Sequence, residues 1–150
     1  MTDPATLTTL IDLARQAVDD AARQLRALAD ARQEADGQLN TLQDYRQDYL
    51  QRLNQATQAG LSASNYHNFQ QFIATLDQAI SQQNKHVSQL DARIELGRAE
   101  WRQCQRKLSS FEALQARDER VRAERETRRE QRLNDEISAA LYRRARRPHA

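Results

Sequence analysis

The feature that most constrains this chain is a 3-4 spacing of apolar residues running unbroken from Leu7 to Ala56. It passes through Leu7, Ile11, Ala14, Val18, Ala21, Leu25, Leu28, Arg32, Ala35, Leu39, Leu42, Arg46, Tyr49, Leu53 and Ala56, of which 13 of 15 are apolar. A mean period of 3.5 keeps a narrow seam turned toward one partner over many turns, which is coiled-coil geometry and not that of a helix lying on a globular core. A second repeat starts at Tyr66 and continues through Phe69, Ile73, Leu76, Ile80, Gln83, Val87, Leu90, Ile94, Gly97, Trp101, Cys104, Leu108 and Phe111. Twelve of those 14 positions are apolar.

The rest of the chain offers little to interrupt a helix. It contains three Gly and two Pro in 150 residues, and compact folds need more turn residues than that. Asp3 and Pro4 form a helix start, with Asp as N-cap and Pro where its missing N–H costs nothing. Gly60 is a C-terminal stop, and TQAGLSASN, residues 57–65, is the one strong turn signal. Ser62 and Ser64 are candidate N-caps for the second helix. Gly97, opposite bulky seam residues, is expected to relieve crowding.

Neither seam can bury itself, so the two helices are expected to pack as an antiparallel hairpin. With the turn near residue 60, facing residues have numbers summing to about 121. The first helix, starting near residue 4, then runs out of partner near residue 117, and the apolar seam indeed gives way after Phe111 and Leu114 to ARDERVRAERETRREQR. The fold class predicted is all-α: a long antiparallel two-helix coiled-coil hairpin with an overhanging C-terminal helix. The expected organisation is one coiled-coil domain over 1–150, with helix 1 at about 4–57, a turn at about 58–63, helix 2 at about 64–141 and a basic tail at 142–150. Rises of about 1.5 Å per residue make these helices about 80 Å and up to about 115 Å long. Such a rod, with Arg32 and Arg46 in its seam, is expected to fray at the open end and to melt below about 75 °C.

Net charge is +2, unevenly spread: residues 1–60 hold 6 Lys/Arg against 9 Asp/Glu, residues 61–100 hold 3 against 4, and residues 101–150 hold 14 against 8. In 115–132, Arg and Glu at i, i+3 and i+4 spacing are expected to support a solvated helix through ion pairs. Leu133, Ile137 and Leu141 follow at four-residue spacing, and RRARR near the end points to an acidic partner. Nucleic acid would call for interleaved aromatics, and only Tyr142 qualifies.

No catalytic constellation is present. His67, His86 and His149 are isolated from one another and from Cys104, so no metal site is expected. Cys104 lies in the seam beside Trp101 and Leu108 as a structural thiol. No Gly-rich loop is present to hold a phosphate, and the reading is a non-enzymatic protein with no cofactor. One Cys fits a reducing compartment. The absence of an apolar run of about 20 residues and of a signal-like start fits a cytosolic protein.

Near the turn a second stripe combines seam positions (Leu42, Tyr49, Leu76 and Gln83) with positions on their flank (Gln38, Tyr45, Phe72 and Ala79). Gln38, Leu42, Tyr45 and Tyr49 lie at 4, 3, 4 spacing on the first helix, and Phe72, Leu76, Ala79 and Gln83 repeat it on the second. Under the hairpin register Tyr45 faces Leu76, Tyr49 faces Phe72, Leu42 faces Ala79 and Gln38 faces Gln83. The two stripes then form one patch, read as a docking surface for a protein partner.

VDDAARQL (18–25), LQDYRQDYLQRLN (42–54), SASNYHNFQQFIATLDQAI (62–80) and AEWRQCQRKL (99–108) resemble the FliJ family, small coiled-coil proteins of the flagellar type III export apparatus. The resemblance implies an antiparallel coiled coil similar to the central stalk of rotary ATPases. It also implies binding to the ring of the flagellar export ATPase and to the cytoplasmic domain of the export gate protein FlhA, with a role as escort for export chaperones. Carried over residue by residue, its gate-binding surface is Gln38, Leu42, Tyr45, Tyr49, Phe72, Leu76, Ala79 and Gln83, where a relative carries His at the last position. The stalk analogy directs the paired termini into the ring, with Arg117, Arg120, Arg122 and Arg125 as ring-contact candidates. It implies a cytoplasmic protein held peripherally at the inner membrane of the flagellar base. A nucleic-acid-binding coiled coil using the Arg-rich end, a homo-oligomeric scaffold and the corresponding rod of a virulence-type secretion system are the alternative readings.

Overall fold

The computed structural model describes residues 3–147. It contains two helices, α1 (Pro4–Gln58) and α2 (Ala63–Ala145), and among the described residues no strand. Pro4 takes the first helical position, and the Leu7 N–H donates to the Asp3 carbonyl at 2.9 Å, closing the first turn. At the other end of α1 the chain turns through Gly60, whose φ of +89° is left-handed and open to glycine without strain. Ser62 is the cap of α2: its Oγ accepts from the Asn65 N–H at 3.3 Å, and its carbonyl from the Tyr66 N–H at 3.0 Å. Ser64 falls inside the first turn of α2 and does not cap it.

Helix α2 continues to Ala145, four residues past the expected end at 141, so Tyr142, Arg143 and Arg144 are helical. Nothing in ISAALYRRA breaks a helix, and Pro148 disfavours helix only for the residue just before it. Pro148–Ala150, with His149, lie outside the described residues.

The chain divides into two compact units. In the first, Ala17–Cys104, the helices pair as expected. Ala35, Val87 and Leu90 are the buried centre, packed against Leu28 and Ala31. Tyr49 lies against Phe72 and Gln38 against Gln83, both at the expected sum of 121. A Cβ on Gly97 would stand 2.9 Å from Leu25 Cδ2 and 3.7 Å from Leu28 Cδ1, so the glycine does accommodate crowding from α1. Arg32 and Arg46 are not defects of the seam. Their stems cover it while each guanidinium reaches a carboxylate of the other helix, Asp91 and Asp77.

The second unit joins the described parts of Met1–Gln16 and Gln105–Ala150. Leu7, Ile11 and Ala14 are buried there. On α2 the covered stripe does not end at Leu114, which is 40% exposed. It follows the 3-4 spacing through Phe111, Gln115 and Asp118 and ends at Val121, all half-buried. Position on the stripe and not polarity decides what is covered here, so Gln115 and Asp118 are half-buried while Leu114, off the stripe, stays outside. From Arg122 to Arg147 every residue is exposed, an overhang of α2 beyond its covered stripe. The Arg–Glu pairs expected in 115–132 do not close. Among the described residues all ion pairs lie between Asp12 and Arg98.

Candidate functional site

The eight stripe residues, of which Leu42, Tyr49, Leu76 and Gln83 are also seam positions, span about three turns of each helix in Ala17–Cys104. Tyr45 and Phe72 stand out of the surface, 56% and 41% exposed, and Gln38 is exposed beside them. Leu42, Tyr49, Ala79 and Gln83 are half-buried, and Leu76 is buried beneath them. The arrangement is an apolar floor carrying two raised aromatic rings, both of which can enter a partner's pocket.

Tyr49 is held from several sides. Phe72 stacks on it at 4.2 Å between centroids, Phe69 meets it edge-on at 6.1 Å, and the Arg52 guanidinium lies 5.6 Å from its ring centre. Phe69 and Arg52 are not among the site residues expected from sequence. Phe69 precedes Phe72 by three residues, the spacing that places both on one face, and that spacing is the signal that points to it. Gln83 is directed inward: its Nε2 donates to the Ala35 carbonyl at 2.9 Å and to Gln38 Oε1 at 3.1 Å. Both its amide hydrogens are used within the hairpin, which leaves only its oxygen for a partner.

On the other flank Arg46 Nε donates to Asp77 Oδ1 at 2.5 Å, and two heptads along Arg32 Nε donates to Asp91 Oδ1 at 2.8 Å. The hydrogen bond to Asp91, then the charges of Asp36 and Asp91, raise the pKa of Arg32 above its ordinary value.

Arg117, Arg120, Arg122 and Arg125 are all exposed. Steps of 3, 2 and 3 residues at about 100° each spread them around the helix, so they do not form one face. Cys104 is half-buried and unpaired, and His67 and His86 are exposed. Among the described residues there is no cluster of His, Cys, Asp and Glu fit to hold a metal, and no helix long and apolar enough to cross a membrane. The depression lined by Asp77, Ile80, Asn84, Lys85 and Gln89 is an open groove with no pair of catalytic groups in it.

The family described as "Flagellar FliJ protein" matches residues 3–147. The chain belongs to the FliJ family. It is 34% identical over 138 residues to the flagellar FliJ protein of Escherichia coli K12, covering 92% of this chain and 94% of that one. Its identity to the flagellar FliJ protein of Salmonella typhi is 35% over 138 residues, with the same coverage. Among solved structures, a YscO homologue from Chlamydia trachomatis superposes with a TM-score of 0.68, covering 99% of each chain at 12% identity. At that identity the likeness is one of fold: the FliJ helical hairpin recurs there on a largely different sequence.

Proposed function

We propose that this FliJ-family chain is a non-enzymatic component of the flagellar protein export apparatus, cytoplasmic and held at the inner membrane through its partners. In this reading the surface around Tyr45 and Phe72 docks the cytoplasmic domain of the export gate protein FlhA. The unit holding the chain termini meets the export ATPase ring, promotes its assembly and couples its turnover to the gate. Escort of export chaperones belongs to the same reading.

The observation that carries it is the pairing of two exposed aromatic rings, Tyr45 and Phe72, on adjoining helices over a buried Leu76, in a chain matched by the flagellar family over residues 3–147. Large aromatic side chains over a desolvated floor are what anchors of protein interfaces look like. The overhang from Arg122 to Arg147, exposed throughout, supports a second contact separate from that surface.

Tyr45→Ala with Phe72→Ala is expected to abolish binding of the purified FlhA cytoplasmic domain with helicity unchanged. Retained affinity removes the docking assignment. For the ATPase, turnover is compared with the full chain and with a chain ending at Ala123, which keeps the covered seam intact. Stimulation lost on truncation supports the ring contact, and no effect of either chain leaves an adaptor that does not touch the ATPase.

A further inference from the structure

The docking surface is composite: half its residues come from α1 and half from α2, so it exists at only one alignment of the two helices. Sliding one helix by a heptad keeps apolar seam against apolar seam. It would also put Asn65 or Ala79 opposite Tyr49, and Phe69 or Gln83 opposite Tyr45, dismantling the surface. The turn holds the alignment only at its own end. Something further along the hairpin must distinguish the native register from its neighbours.

Arg32 and Arg46 stand 14 residues apart in the α1 seam, and their partners Asp91 and Asp77 stand 14 apart on α2. Both pairs therefore close at the same register. A one-heptad slide puts Asn84 or Arg98 opposite Arg32, and Gln70 or Asn84 opposite Arg46. Half-heptad slides offer Val87, Ser88, Ile94 or Glu95 to Arg32, and Ile73, Ala74, Ile80 or Ser81 to Arg46. Arg32 keeps Asp36 of its own helix in any register, but no register within one heptad of the native one gives both arginines a carboxylate of the other helix. In such a register Arg32 loses its cross-helix charge-assisted bond, and Arg46 loses the one carboxylate it has while still partly desolvated. Gly97 acts in the same direction, since a heptad slide brings Leu90 or Cys104 to the place beside Leu25 where a Cβ already crowds.

We propose that Arg32–Asp91 and Arg46–Asp77 form a register lock for the docking surface. The four are positioning residues: they set partner affinity by aligning Tyr45 and Tyr49 with Phe72 and Leu76, and do not touch the partner. Gln83, whose amide ties α2 to Ala35 and Gln38, belongs with them and not with the contact residues. The affinity part rests on the docking reading above, whereas the register part stands without it.

The test uses the full chain with Cys104→Ser and spin labels at Asn40→Cys and Gln89→Cys, both exposed positions. The parent is expected to give one inter-label distance. Arg32→Asp with Arg46→Asp, which sets carboxylate against carboxylate, is expected to add a population displaced along the axis by about 10 Å, seven residues of rise. It is also expected to weaken binding of the FlhA cytoplasmic domain at least about tenfold, a fold-change equal to about 1.4 kcal/mol. Adding Asp91→Arg and Asp77→Arg should restore both the single distance and the affinity. An unchanged single distance in the charge-reversed chain overturns the lock, as does affinity lost without a register change or not restored by the exchange. If the charge-reversed chain unfolds, the exchanged chain decides: recovery of the parent distance supports the lock, and failure to fold overturns it. Should the parent not bind FlhA at all, the docking reading falls while the distances still decide the lock.

Discussion

The ring of Tyr49 lies 4.2 Å from that of Phe72 across the helix pair, tilted by 30°, whereas Tyr45, one turn earlier on α1, keeps 56% of its surface in solvent. The two tyrosines are therefore expected to separate stability from the proposed docking. Tyr49→Ala removes a cross-helix aromatic contact and is expected to cost about 1–2 kcal/mol. Tyr45→Ala is expected to change stability by no more than about 0.5 kcal/mol and yet to remove most of the gate affinity. Urea titrations of both variants beside a binding assay check this, and a Tyr45→Ala chain that is strongly destabilised would contradict it.

Gly97 and Leu25 are expected to be coupled. Alanine at 97 gains about 0.8–1 kcal/mol of helix propensity, but its Cβ would arrive 2.9 Å from Leu25 Cδ2. That methyl ends a flexible side chain and can move aside at some loss of packing. Gly97→Ala alone is therefore expected to be neutral within about 1 kcal/mol, and to stabilise by about 1 kcal/mol when Leu25→Ala is present. Strict additivity in the double-mutant cycle would show that Leu25 is not what the glycine accommodates.

The cross-helix ion pairs are expected to respond to salt. Asp91 and Asp36 raise the Arg32 pKa. A cation with a raised folded pKa contributes in full below its unfolded value and loses that contribution only as pH climbs through the folded one. For an arginine this window lies far above neutrality, so Arg32 adds no slope to stability between about pH 6 and 9. Salt acts differently, because the Arg46 and Asp77 side chains are 40% and 51% exposed. Their coupling in a double-mutant cycle is expected to be about 0.2–1 kcal/mol in dilute buffer and smaller in 1 M NaCl, where screening reaches about 3 Å. A coupling indifferent to salt would mean that packing of the arginine stem supplies it.

Truncation distinguishes the overhang from the covered seam. Everything from Arg122 to Arg147 is exposed, so a chain ending at Ala123 is expected to keep its unfolding free energy within about 0.5 kcal/mol. A chain ending at Leu114 also loses Gln115, Asp118 and Val121 and uncovers Leu7, which is only 2% exposed in the intact chain. It is expected to lose about 1 kcal/mol or more of that side chain's burial. Equal stability of the two truncated chains would place the end of the seam at Leu114 after all.

Most of the fold is legible in the sequence. Pro4, Gly60 and Ser62 mark the helix ends, and the sum of 121 recurs in Tyr49–Phe72 and Gln38–Gln83. The side-by-side placement of the two stripes is legible too, because a heptad position specifies which way a side chain points. Less legible are the roles of single polar residues. Arg32 and Arg46 read as defects because Asp91 and Asp77 are 59 and 31 residues distant along the chain. Leu114 reads as seam because it is apolar, although its position directs it outward.

The sequence by itself determined that this chain forms two long helices, that they pair antiparallel, and which residues share a face. Those properties follow from a 3.5-residue period and from turn chemistry, both local to the chain. Only the tertiary structure decided that Gln83 faces inward, that the seam arginines are paired in one common register, and that cover on α2 runs to Val121. These depend on which atoms of the other helix lie within about 3 Å, a relation between residues far apart in sequence that no local pattern encodes.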